Sequence, residues 1–127
     1  MATKKPPPSA DFSSAFAGLK AILSPYAPTM NIVKDSATEY NLDTKTVGPN
    51  KKPICFAMVR FGKNYVSFHL MPIYMNPKLQ ATISRALKKR MQGKACFNFT
   101  EVDAKLFAEL KSLSRAGLES FKKLGYT

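Results

Sequence analysis

The residues best suited to binding a polar ligand gather in the middle of the chain. Tyr65 and His69 alternate with apolar residues in a strand-like segment, so their side chains point to one face. Lys63 lies in a Gly-Lys-Asn turn, where an ammonium group and backbone N–H groups favour an anion. With Tyr74 and Lys94 these residues predict a small polar pocket between a sheet and a helix. The alternative is structural, since tight turns prefer the same residue types.

Positive charge is the second chemical signal. The chain has 20 Lys and Arg residues against 8 Asp and Glu residues, a net charge of +12. Residues 54–94 contain eight of the basic residues and no acidic one, which gives +8. This excess predicts a surface for nucleic acid or another polyanion, with a simple solvated helix face as the alternative. The residues assigned to the surface are Lys78, Arg85, Lys88, Lys89 and Arg90, with Lys94 beside them.

Other chemistries have weaker support. Cys55 and His69 could form a nucleophile and base, but no acidic residue lies in their segment to orient the histidine, so we expect no enzyme activity. A single histidine and the lack of a Cys-x-x-Cys motif argue against a zinc site. Methionines are expected in the core or in loops, not as metal ligands. The sequence therefore predicts no metal and no cofactor.

The cysteines and the N-terminal residues bear on cellular location. Cys55 and Cys96 lie in strand-like segments and are expected to be reduced thiols, with a disulfide between them as the alternative. No apolar run reaches the roughly 18 residues that a membrane span needs, and no signal peptide is recognisable. Residues 1–10 contain three consecutive prolines and predict a disordered tail. We expect a cytoplasmic protein with no membrane partner.

The hydrophobic pattern predicts the elements that position these residues. Three helices are expected over residues 12–23, 77–91 and 102–124, the last bent or split at Gly117. About five strands are expected, over residues 30–34, 39–45, 54–61, 65–71 and 94–99. The order α-β-β-β-β-α-β-α, with most strands in hairpins, predicts one α+β domain over residues 11–127 with an antiparallel sheet.

Two stretches carry a resemblance to a known family. They are GKNYVSFHLMPIYMNP at residues 62–77 and KKRMQGKACFNF at residues 88–99, followed by a Leu-rich helix. Over about residues 30–124 the chain resembles the YdhG-like domain family, small bacterial proteins of unknown function. The resemblance implies an α+β fold with a curved antiparallel sheet, and a binding domain without an assigned reaction.

Distant members of the YdhG-like family are described as frataxin-like iron chaperones, which hold iron on an acidic surface. With only 8 acidic residues, this chain departs from that pattern. Iron handling therefore stands as the third functional alternative, after binding of an anionic ligand and binding of nucleic acid.

Overall fold

A single antiparallel sheet of six strands organises the domain. The computed structural model describes residues 8–49, 51–93 and 95–126. The strands are β1 (Asn31–Asp35), β2 (Glu39–Val47), β3 (Pro53–Phe61), β4 (Val66–Leu70), β5 (Met91–Gln92) and β6 (Cys96–Phe99). They lie in the order β1-β2-β3-β4-β6-β5. The first four strands therefore form a meander of hairpins, and β6 joins β4 after a connection of residues 71–95.

Two long helices and several short helical segments accompany the sheet. They are α1 (Pro8–Leu23), a 3-10 segment (Ser24–Thr29), α2 (Met71–Met75), α3 (Pro77–Ala81), α4 (Arg85–Lys88) and α5 (Ala104–Lys123). The long helices, α1 and α5, contact each other, and α1 also lies on β3 and β4. None of the helices in the described part of the chain is both long and apolar enough to cross a membrane.

One face of the sheet forms the core together with the long helices. Apolar residues are paired across neighbouring strands on this face: Tyr40 with Val59, Val59 with Phe68, and Phe68 with Phe97. All four side chains are at most 2% exposed. Because side chains alternate between the two faces along a strand, this buried row determines which residues face the helices.

A β-bulge in β3 adds a large ring to this core. The register shifts between Leu42 and Asp43 of β2, which leaves Phe56 of β3 without a partner residue. Phe56 is fully buried, and its ring packs edge-on against Tyr26 at 5.4 Å and Phe121 at 6.1 Å. The bulge therefore anchors the 3-10 segment and α5 to the same strand.

The predicted fold class and the antiparallel sheet are confirmed, but one predicted helix is wrong in detail. The helix expected over residues 77–91 is interrupted and forms α3 and α4. The hydroxyl of Thr82 donates a hydrogen bond to the Leu79 carbonyl at 2.7 Å, where α3 ends. Met91 then pairs with Phe97 as part of β5. The sheet therefore has six strands, one more than predicted.

The first helix begins earlier than predicted. Its first residue is Pro8, so residues 8–10 of the predicted tail are helical. Proline is favoured at the first helical position because its fixed φ suits the helix and its missing N–H costs nothing there. Residues 1–7 of the predicted tail lie outside the described residues.

Gly117 allows α5 to lie close to α2. The helix is continuous through this residue, so the predicted split does not occur. A Cβ atom at this position would lie 2.9 Å from the Cβ of Pro72, closer than packed carbon atoms approach. We expect Gly117→Ala to lower the free energy of unfolding by about 1–3 kcal/mol, although alanine is the better helix former.

Urea unfolding followed by circular dichroism measures this effect. Ala116→Gly is the matched control, because this neighbouring residue is exposed and loses only about 1 kcal/mol through helix propensity. A Gly117→Ala variant more stable than the wild-type protein would contradict the packing argument.

Candidate functional site

The predicted basic residues stand on two short helices and the turn that follows them. Lys78 lies on α3, Arg85 and Lys88 lie on α4, and Lys89 and Arg90 come next in the chain. All except Arg90 are exposed. We name these five residues the basic strip. Their charged groups are therefore accessible to an external partner.

Arg90 differs from the other four because its guanidinium group packs on an aromatic ring. It lies 5.8 Å from the ring centroid of Phe99, and the side chain is half-buried. The Arg90 carbonyl also accepts a hydrogen bond from the Asn98 backbone N–H at 2.8 Å. A cation over a ring gains about 0.5–1 kcal/mol. This end of the basic strip is therefore fixed to the sheet edge.

Side chains of α5 hold the two short helices in place. The Glu109 carboxylate accepts hydrogen bonds from the Ser84 backbone N–H at 2.8 Å and from its hydroxyl at 2.6 Å. On α3, Asn76 accepts from the Lys78 backbone N–H at 3.0 Å and donates to the Ser120 hydroxyl at 3.0 Å. The basic strip is thus attached to the longest helix at two points.

Within the described residues, no acidic side chain forms an ion pair with the basic strip. The ion pairs found there are Lys20–Asp35, Lys34–Glu39 and Lys122–Glu119. Glu109 is nearby through Ser84, but it serves as a hydrogen-bond acceptor for the start of α4. A cavity of about 420 Å³ between α3 and β5 has Lys88 in its wall. The positive charge of the strip is therefore largely uncompensated.

The face of the sheet opposite the helices is polar and partly open to solvent. Ser67 of β4 donates a hydrogen bond to Asn98 of β6 at 2.8 Å. Two residues further along β4, His69 Nδ1 lies 2.8 Å from Cys96 Sγ of β6. We name this surface the open face and define it by Met58, Arg60, Ser67, His69, Cys96 and Asn98.

Burial keeps the His69–Cys96 pair uncharged. Burial lowers the pKa of His69, and the Arg60 guanidinium lowers it further. Burial raises the pKa of Cys96, and Arg60 opposes that rise. At neutral pH the pair is therefore a neutral imidazole beside a protonated thiol. A catalytic cysteine needs a lowered pKa, which this environment does not provide.

The residues of the predicted pocket are brought together only in part. His69 lies on the open face, whereas the Tyr65 ring lies against Gly62 in the turn before β4, and Lys63 is exposed at the tip of the β3–β4 hairpin. Tyr74 is 58% exposed on α2, which packs against α5 on the other side of the sheet. Lys94 lies outside the described residues. His69 points away from the helices, so it does not line a space between the sheet and a helix.

The thiol beside the histidine is not the one that the sequence suggested. Cys55 lies on β3 and Cys96 lies on β6, with β4 between them, and both are free. Two strand spacings separate such positions by about 10 Å, which is beyond the roughly 7 Å that a disulfide can bridge. The pairing of β4 with β6 places Cys96 opposite His69, and a sequence alone does not reveal that register.

Iron bound in the frataxin manner needs a cluster of hard oxygen ligands. Within the described residues, no three His, Cys, Asp or Glu side chains come together as a metal-binding group. Asp43 lies on the same side of the sheet as the open face. Its carboxyl group shares a hydrogen bond with Cys55, and burial raises the pKa of this carboxyl group. The iron alternative therefore gains no support from these residues.

Ser84 is expected to stabilise the start of α4. Its oxygen accepts a hydrogen bond from the Leu87 backbone N–H at 3.1 Å, and its hydroxyl donates to Glu109. We expect Ser84→Ala to lower the free energy of unfolding by about 1 kcal/mol. Ser112→Ala, at an exposed position of α5, should change it by less than about 0.5 kcal/mol. Equal urea midpoints for the two variants would contradict the capping role.

The two thiols are expected to differ in their reactivity with iodoacetamide. Burial, and then the Asp43 carboxylate, raise the pKa of Cys55 to about 12. At pH 8 about one Cys55 in ten thousand is then a thiolate. Each variant leaves one thiol to be labelled. Cys96, in the Cys55→Ser variant, should react at least about tenfold faster than Cys55 does in the Cys96→Ser variant.

Mass spectrometry of quenched samples measures these labelling rates. In the Cys96→Ser variant, labelling should rise about tenfold per pH unit between pH 7 and 9, because this range lies well below the pKa of Cys55. Both variants should react at similar rates in denaturant, which serves as the control. Similar rates in the folded state would contradict the assigned environments.

No model of a known protein family matches this chain, and no characterised protein or solved structure gives a significant match. The resemblance to the YdhG-like family therefore rests on the two motif stretches of the sequence.

Proposed function

We propose that this protein is a small binding domain of the YdhG-like family and that it binds nucleic acid through the basic strip. The observation that carries the proposal is the exposure of Lys78, Arg85, Lys88 and Lys89 without ion-pair partners among the described residues. Lysine and arginine side chains that neutralise phosphates release condensed counterions from the nucleic acid. That release supplies most of the affinity of sequence-independent binding.

The form of the basic strip favours a polymer over a small anionic ligand. Its residues belong to α3, α4 and the following turn, and all except Arg90 are exposed. Phosphates repeat along a nucleic acid, so they can meet several separate cations at once. The nearest ring, Phe99, is buried beneath Arg90 and is not available to stack on a base. Contacts to the phosphate backbone, with little sequence preference, are therefore expected.

The net charge of the chain supports the same proposal. At +12 the protein is attracted to any polyanion, and five cations of the acid-free segment belong to the basic strip. We place the protein in the cytoplasm as part of this proposal, where the free thiols of Cys55 and Cys96 stay reduced.

Fluorescence anisotropy with labelled single-stranded and double-stranded oligonucleotides at several salt concentrations tests the proposal. The variant K78Q/R85Q/K88Q/K89Q removes four cations of the strip. Each lost phosphate contact should reduce the slope of log affinity against log salt by about 0.9 for duplex or about 0.7 for single strands. The variant should therefore lose most of its affinity at low salt.

The matched control removes the same charge from exposed lysines elsewhere, as K45Q/K105Q/K111Q/K123Q. It should keep nearly the wild-type salt slope, since only long-range attraction is reduced. No binding by the wild-type protein at low salt would overturn the proposal. An equal loss in both quadruple variants would overturn the assignment to the basic strip.

A further inference from the structure

Three side chains with soft donor atoms lie in one row across the open face. Met58 of β3 is directly opposite His69 of β4, and His69 is directly opposite Cys96 of β6. All three are half-buried, so they are sheltered from bulk water but accessible from the surface. The contact between His69 Nδ1 and Cys96 Sγ, at 2.8 Å, already brings two of the donors together.

The third donor is within reach of the other two. Side chains directly opposite each other in antiparallel strands have Cβ atoms about 4.5–5.5 Å apart. The Met58 side chain has three rotatable bonds and ends in a thioether, so it can turn its sulfur towards His69. The row therefore offers one thioether sulfur, one imidazole nitrogen and one thiol sulfur side by side, with His69 between the two sulfurs.

We infer that Met58, His69 and Cys96 form a binding site for a soft monovalent metal ion, Cu(I). Thiolate and thioether sulfurs select Cu(I), and imidazole is also a good ligand for copper. Binding replaces the S–H bond of Cys96 by a bond from sulfur to copper, and the proton leaves to solvent. The thiolate charge and the metal charge cancel, so the occupied site is neutral.

The surroundings of the row suit this ion better than a hard or divalent one. His69 Nδ1 lies against Cys96 Sγ, so the imidazole nitrogen and the thiol sulfur already face each other. Arg60 is a nearby positive charge, and it opposes a divalent ion more than a monovalent ion that becomes neutral on binding. Zinc prefers four nitrogen, sulfur or carboxylate ligands and is not matched by a thioether.

Anaerobic titration of the reduced protein with Cu(I), in competition with the coloured chelator bicinchoninate, tests the site. The wild-type protein should take one Cu(I) per chain from the chelator. Cys96→Ser should weaken binding by more than about a hundredfold, because even the loss of a supporting residue around a metal costs 10–100-fold. Met58→Leu, which keeps the volume and removes the sulfur, should weaken it by about tenfold.

Two variants serve as controls for the same donor types elsewhere. Cys55→Ser and Met75→Leu remove a thiol and an exposed thioether outside the row, and both should bind Cu(I) as the wild-type protein does. Circular dichroism should show that all variants remain folded. Zn²⁺ should bind far more weakly than Cu(I).

Nuclear magnetic resonance gives a readout that does not depend on affinity. Adding one equivalent of Cu(I) to the wild-type protein should shift the Met58 methyl signal and the His69 ring signals, and leave the Met75 methyl signal in place. Full affinity in Cys96→Ser or in Met58→Leu would overturn the three-donor site. Loss of binding in Cys55→Ser, or the lack of any shift at His69, would also overturn it.

Discussion

The burial of one sheet face beneath α1 and α5 is the constraint on which the rest of the structure depends. Side chains alternate along every strand, so placing Phe68 and Phe97 in the core forces their neighbours to the opposite face. His69 and Cys96 meet for this reason, and not because of any attraction of their own. A slip of one residue in the register would exchange the two faces and bury polar groups, which keeps the open face where it is.

The same constraint separates the two surfaces that carry the functional proposals. The open face is built from strand residues, whereas the basic strip belongs to the connection between β4 and β6. The eight cations of residues 54–94 are accordingly divided: Arg60 lies on the open face, Lys63 at a hairpin tip and five on the strip, whereas Lys94 lies outside the described residues. Through Glu109 and Ser84 the strip depends on α5. The two surfaces meet where the Arg90 carbonyl accepts a hydrogen bond from the Asn98 backbone N–H.

The sequence was sufficient for most of the strands but not for the contacts between them. The alternating aromatic and β-branched residues around Val59 and Phe68 predict a β-hairpin. The structure contains this hairpin, formed by β3 and β4. The four-residue spacing of Leu79, Ile83 and Leu87 suits a continuous helix. It is broken into two because the Thr82 hydroxyl donates to the Leu79 carbonyl and the Ser84 oxygen accepts from the Leu87 N–H. The spacing of apolar residues carries no information about side chains that compete with the backbone for hydrogen bonds.

The candidate sites differ in what the sequence can predict of them. The five residues of the basic strip are close together in the sequence, and four of them are exposed in the structure. The partner of His69 was not predictable, because it depends on how β6 aligns with β4 across 27 residues. A pattern with a period of two identifies a face of each strand. It does not identify which residue of another strand lies opposite.

The connection between β4 and β6 has a consequence for how the chain folds. The β1–β4 meander needs only short hairpin closures, whereas β6 can add to it only when a loop of about 25 residues closes, at an entropic cost of about 3 kcal/mol. Residues 71–95 of that loop contain six basic residues and no acidic one, so they repel each other as the loop contracts. Salt, or a polyanion lying along the loop, shields this repulsion. Completion of the sheet is therefore coupled to the ionic surroundings in which the chain folds.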